Sequence, residues 1–150
     1  MRAVIQRVSS ASVEVAGQFT GKIGEGLLVL VGVAQGDTAA DAAWLAGKIA
    51  RMRIFSDDHQ NMNLSVQDIQ GEILVISQFT LHAQVRKGNR PSFIKAASPQ
   101  LAVDLYREFI DLLQNHIQKK IQTGIFGAMM QVSLINSGPV TIIIDSKSDD

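Results

Sequence analysis

The closing stretch MMQVSLINSGPVTIIID, residues 129–145, constrains the fold more than any other part of the chain. Its flanks, MQVSLI and VTIII, are rich in aliphatic and β-branched residues and read as buried strand. Between them stands the step Gly138–Pro139. Proline has no amide hydrogen for a ladder, so it belongs at an edge, a strand start or a bulge. The break is either a plain β-turn, the commoner outcome, or a cis bond of the kind X-Pro steps permit. In the cis case two successive carbonyls can point the same way, a rigid pair of acceptors that needs no side chain.

The rest of the chain supplies further strands and two helices. Residues 2–15 alternate through Val4, Val8, Val13 and Val15 with polar neighbours, and glycines punctuate a β-meander into LLVLVGV. Asp37 or Thr38 caps a helix over 38–53, with Trp44, Leu45, Ile49 and Met52 near helical spacing. RIF reads as a short strand, SDDHQNMN as a polar loop, and EILVISQFTL as a strongly β-prone segment. Ser98-Pro99 starts a second helix running to about residue 120, with Leu101, Leu105, Phe109, Leu112, His116 and Ile117 near one face. No repeat or linker interrupts this order. The pattern predicts one α+β domain over 1–150, a mainly antiparallel, barrel-like sheet covered by two long helices, with a frayed tail at 145–150.

Fourteen basic and fourteen acidic side chains cancel, so any attraction to nucleic acid must be local. Cysteine is absent, which removes disulfides, thiolate nucleophiles and thiolate zinc sites. The start MRAVIQRVSSASVEV lacks the apolar core of a secretory signal, and the longest apolar runs are too short to span a bilayer. A cytoplasmic protein with no membrane partner is expected. His59, His82 and His116 stand far apart with no second ligand at metal spacing, so no metal site is expected. GKIGEG lacks the lysine-serine pair of a phosphate loop, and no cofactor is expected.

SQFTL, residues 77–81, is more informative. Continued as a strand, it turns Ser77 and Phe79 one way, and Gln78, Thr80 and His82 the other. The change from aliphatics to hydroxyl, amide and aromatic fits a strand end opening on a site, and equally one emerging into solvent. A Thr80–His82 pair is conceivable, yet no carboxylate stands nearby to orient the ring. Between Glu72 and Asp104 there is no acidic residue, while Arg86, Lys87, Arg90 and Lys95 all fall inside. That local positive patch suits a phosphate backbone, and Phe79 and Phe93 offer faces on which a base can stack. An ordinary solvated loop accounts for the charges alone.

Taken together, SQFTL, GNRPSF at 88–93 and NSGPVT at 136–141 closely resemble the D-aminoacyl-tRNA deacylase family. So do AVIQRVSSASVEV, LLVLVGV, RIFSD and QTGIFGAMMQVSLINSGPVT, in order along nearly the whole chain. The resemblance implies a homodimer that hydrolyses the ester between a D-amino acid, or mischarged glycine, and the terminal ribose of tRNA. It implies that Gly138 and Pro139 are joined by a cis bond and present their carbonyls in the partner subunit's pocket. It assigns Ser77, Gln78, Phe79 and Thr80 to the catalytic pocket, with amides around Phe79 and Thr80 binding the ester carbonyl. Phe79 and Met129 are expected beside the terminal adenine, and Arg7 behind the Gly-Pro loop. Arg86, Lys87, Arg90 and Lys95 are the tRNA-backbone candidates. For the nucleophile the favoured choice is water assisted by the tRNA 2′-hydroxyl, with covalent attack by Thr80 as the competitor. Ser137 and His82 depart from the family's usual residues. The alternative function is a non-catalytic module that binds RNA ends.

Overall fold

The computed structural model describes residues 1–148. Strand β1 (Arg2–Val15) is the spine: it pairs antiparallel with β2 (Gln18–Ile23), with β3 (Gly26–Gly32) and with the last strand, β8 (Gln131–Asp145). Helix α1 (Ala39–Arg51) follows β3, then the small hairpin of β4 (Phe55–Ser56) and β5 (Met62–Leu64). Strand β6 (Glu72–Ser77) returns parallel to β3, and β7 (Gln122–Thr123) adds parallel to β6 after helix α2 (Pro99–Gln114). The sheet is mainly antiparallel with a parallel centre. That centre explains why LLVLV and ILVI run apolar without alternation: strands covered on both faces need apolar side chains on both.

Two packed layers show the same division. Ala3, Ile5, Leu27, Val29, Val31, Ile73 and Val75 join α1 and α2 in one core, with Leu45, Ile49, Phe109 and Leu113 supplied by the helices. Val8, Ala11, Val13, Ile23, Leu28, Leu74 and Ile76 fill a second core on the other face of the curled sheet. Strand β1 therefore changes sides between Ile5 and Val8. Its register with β8 shifts at that place, where Gln6 opposes Thr141 but Val8 opposes Asn136. Residues 137–140 are left over and bulge out of the ladder opposite Arg7.

Thr38 is the N-cap of α1. The Asp41 carboxylate accepts the Thr38 backbone N–H at 2.8 Å and its hydroxyl at 3.1 Å. Trp44, expected on the apolar face, is 44% exposed and lies beside Lys48 instead. Helix α2 stops at Gln114, short of the expected residue 120, because the Gln114 side chain binds the chain that follows it. Its amide donates to the carbonyls of Ile117 and Lys119 at 3.1 Å, and its oxygen accepts from the Ile121 N–H at 2.9 Å. His116 and Ile117 lie beyond the helix.

The expected fraying of 145–150 needs correction over its first four residues. Asp145 closes the β1–β8 ladder, the Ser146 N–H bonds the Met1 carbonyl at 2.8 Å, and Lys147 Nζ meets Asp37 at 3.2 Å. The Asp37 carboxylate is fully buried, and the Met1 ammonium at 3.0 Å joins Lys147 in compensating a charge that would otherwise be costly. Residues 149 and 150 lie outside the described part. Among the described residues no helix is long and apolar enough to cross a membrane.

Candidate active site

Strand β6 ends at Ser77, where its ladder with β3 ends at Val31. The Gln78 N–H still reaches the Val31 carbonyl at 2.8 Å, and then Phe79–His82 coil into a single 3₁₀ turn. The strand expected through Leu81 is therefore shorter, and the alternation inferred for 77–82 does not hold. Thr80 is exposed and His82 is buried, so they do not share a face, and Thr80 Oγ1 accepts instead from Gln78 Nε2. The turn can fold back over β3 because Gly32 has no side chain. A Cβ there would lie 2.7 Å from the Gln78 carbonyl oxygen, 3.1 Å from His82 Cδ2 and 3.2 Å from Leu81 Cβ.

In front of the turn lies a cavity of about 350 Å³. Its walls come from the ends of β3 and β6, the turn, α2, and the connector into β8: Val31, Ser77, Gln78, Phe79, Tyr106, Phe126 and Met129 all line it. Met129 is 86% exposed, so it is a rim residue and not core. Phe79 is half exposed and meets Phe93 edge-on at 5.1 Å. The amides of Phe79 and Thr80 donate to no backbone carbonyl among the described residues and remain available to a ligand.

Tyr106 and Phe126 were not singled out from the sequence. Tyr106 packs on Phe126 at 5.5 Å, and its hydroxyl bonds the Val75 carbonyl at 3.3 Å. Burial pushes its hydroxyl up to about 12, so it stays protonated and cannot serve as a base at neutral pH. A lone tyrosine beside Leu105 on the apolar face of α2 was the available signal.

The basic residues divide. Reciprocal bonds between Gln84 and Ser92, at 2.8 and 3.0 Å, close a loop that carries Arg86, Lys87 and Arg90, all exposed. Phe93 ties this loop to the cavity rim through Phe79. Lys95 is exposed but borders a different cavity, with Arg2, Asp37 and His82. Beside that second cavity His82 Nε2 is buried with no hydrogen-bond partner among the described residues.

Gly138 and Pro139 do not line the cavity of their own chain. They sit exposed at the bulge of β8, joined by a cis peptide bond. Arg7 grips the bulge from behind, donating Nε–H to the Ser137 carbonyl at 2.8 Å and Nη1–H to the Ile54 carbonyl at 2.7 Å. The Asn136 side chain spans its base, accepting from the Val140 N–H at 2.7 Å and donating to Thr141 Oγ1 at 3.0 Å. Arg7, the Ile54 carbonyl it also binds, and the two flanks of the bulge at 136–137 and 140–141 thus hold one exposed dipeptide.

Residues 4–145 match the family model described as D-Tyr-tRNA(Tyr) deacylase. The D-aminoacyl-tRNA deacylase of Flavobacterium johnsoniae is 60% identical over 148 residues, 99% of each chain. That of Opitutus terrae is 60% identical over 146 residues, 97% of each chain. Among solved structures, the c-Myc DNA Unwinding Element Binding Protein superposes with a TM-score of 0.94 at 41% identity, covering 99% of this chain and 100% of that one. A probable eukaryotic D-amino acid tRNA deacylase shares the fold at TM-score 0.81 and 16% identity, covering 95% of this chain and 97% of that one.

Proposed function

The chain belongs to the D-Tyr-tRNA(Tyr) deacylase family, and on that premise we propose that it is a D-aminoacyl-tRNA deacylase, an ester hydrolase that frees tRNA from a D-amino acid. The observation that carries the reading is the cavity beside the 3₁₀ turn, with free amides at Phe79 and Thr80 and an exposed aromatic rim. The terminal adenine stacks at Phe79 and Met129, which brings the ester carbonyl to the two amides. Amides fixed in advance stabilise the negative charge that develops on that oxygen.

The lining supplies no side-chain base. Tyr106 is held protonated, and the neighbour of Thr80 is an amide, Gln78. Water is therefore the nucleophile, with the tRNA 2′-hydroxyl assisting. Water adds its hydroxyl to the carbonyl carbon, the acyl–oxygen bond breaks, and the ribose oxygen keeps the remaining proton. Ser77 and Gln78 shape the pocket and hydrogen-bond the substrate. Arg86, Lys87 and Arg90 track the tRNA backbone, and Lys95 extends that charge around the side.

Chirality is enforced between two copies. In a homodimer the Gly138–Pro139 bulge of one protomer enters the other's pocket; its exposure, and its place away from its own cavity, support this. A D-residue turns its amine toward the two carbonyls and its side chain away, whereas an L-residue would press its side chain on fixed backbone. Glycine carries no side chain to reject, so glycyl-tRNA is hydrolysed too.

A second reading, a non-catalytic binder of RNA ends, draws on the same loop and aromatics. Incubation with D-Tyr-tRNA and L-Tyr-tRNA separates the two. The deacylase removes the D-ester and spares the L-ester, while intact esters in both tubes would refute hydrolysis.

A further inference from the structure

We propose, resting on the deacylase reading, that Arg2 is a positioning residue for the reaction, acting on the catalytic turn from behind through the Leu81 carbonyl. Arg2 opens β1, in register with Gly32 of β3 on one side and Asp145 of β8 on the other. Its Nη1–H donates to the Leu81 carbonyl at 2.7 Å, and its Nε–H donates to Asp145 Oδ2 at 3.0 Å. One guanidinium thus links the two ends of the sheet's long strands to the third residue of the turn. A planar fork suits this task, since each arm has a fixed direction.

Beyond its seat on Gly32 and the Phe79–Phe93 contact, the turn has few hydrogen bonds to hold it. A 3₁₀ turn has poorer hydrogen-bond geometry than an α-helix, and at its two ends the Leu81 N–H bonds the Gln78 carbonyl at 3.3 Å and the Ala83 N–H bonds the Thr80 carbonyl at 3.0 Å. Among the described residues, the bond from Arg2 is the one hydrogen bond that reaches Phe79–His82 from another element. The Phe79 and Thr80 amides sit two and one residues before Leu81, so a swing of that carbonyl re-aims them.

Asp145 keeps Arg2 in place. Burial pushes its carboxyl up, but the Lys147 N–H and Arg2 hydrogen bonds and the nearby positive charges outweigh that and hold it below the ordinary carboxylate range. It is therefore charged wherever the enzyme works. The same cluster packs no group against the cavity of about 350 Å³, so Arg2 reaches the substrate through the turn and not by contact.

Steady-state hydrolysis of D-Tyr-tRNA by the wild type, Arg2→Met, Arg2→Lys and Asp145→Asn tests this, with melting temperatures taken in parallel. Misplacement of a catalytic group by a fraction of an ångström is expected to lower kcat of Arg2→Met about tenfold, with KM within about twofold. Arg2→Lys, able to keep one of the two bonds, is expected to recover part of the loss, and Asp145→Asn to lose less than Arg2→Met. A folded Arg2→Met with unchanged kcat overturns the proposal, as does a raised KM at constant kcat, which would mark Arg2 as a tRNA contact. If Arg2→Met does not fold, unchanged kcat in both Arg2→Lys and Asp145→Asn overturns it equally. A wild type that leaves the ester intact overturns this role and the deacylase reading together. An active wild type with indifferent variants overturns only the role of Arg2.

Discussion

Gly32→Ala offers a sharp test of how the turn at residues 79–82 is seated. The added methyl would stand 2.7 Å from the Gln78 carbonyl oxygen, with His82 Cδ2 at 3.1 Å and Leu81 Cβ at 3.2 Å. Ordinary contact begins near 3.4 Å, so the gap between β3 and the turn must open by about 0.7 Å, and close-packed surroundings leave little slack. The nearest atom is backbone, which cannot swing aside as a side-chain tip would. Overpacking of this kind costs about 1–3 kcal/mol. For a chain of 150 residues that lowers the melting temperature by roughly 3–10 °C. Since about 1 Å of misplacement can cost a hundredfold in rate, a shift of this size predicts roughly tenfold slower hydrolysis. The assay is single-turnover loss of the D-Tyr-tRNA ester, run well below the melting temperature of both proteins. A variant that melts lower yet hydrolyses at the wild-type rate would show the strain absorbed by β3, and would refute the link between Gly32 and the turn.

On the proposed water route, Thr80→Ala is expected to retain considerable hydrolysis of D-Tyr-tRNA; complete loss with intact folding would favour the covalent route. Arg7→Ala deprives the Ser137 and Ile54 carbonyls of a charged donor, and is expected to cost about 1.5–3 kcal/mol in urea unfolding while raising hydrolysis of L-Tyr-tRNA. Replacing Arg86, Lys87 and Arg90 together with Gln should raise KM and make the log–log salt dependence of tRNA binding shallower by about 2. For Asp41, burial pushes the carboxyl up, but hydrogen bonds from Ser146 and Thr38 outweigh it and bring it below its ordinary value of 3.8. A lowered folded-state value means stability that is present at neutral pH and lost as pH falls from 3.8 through that lower value. Asp41→Asn should therefore show a shallower acid limb in thermal melts, and an unchanged limb would refute the assignment.

Much of the fold was legible because its causes are local. The β character of residues 2–15, the Thr38 cap and Pro99 at a helix start all act within a few residues, whereas the face expected of β1 does not hold: Val4 and Val15 are not buried, and the strand changes sides between Ile5 and Val8. The parallel pairing of β3 and β6 is written in their unbroken apolar runs, but from sequence LLVLVGV is expected at the end of a β-meander and EILVISQFTL only as an unpaired β-prone segment. The end of α2 was missed because a side-chain amide, Gln114, outcompeted the helical pattern that continues to Ile117.

The site divides along the same line. By its own composition the chain determined a polar strand end at SQFTL, an acid-free basic loop, and a proline that must leave the ladder. Tertiary structure decided what those pieces do. Whether residues 79–82 extend or coil depends on Gly32 across the sheet, and how they are held depends on Arg2, far away in sequence. The aim of Gly138–Pro139 is fixed by Arg7 and by the switch of β1 between two cores. Contacts between residues 79 or 130 positions apart exist only once the sheet has closed, and no local pattern can specify them.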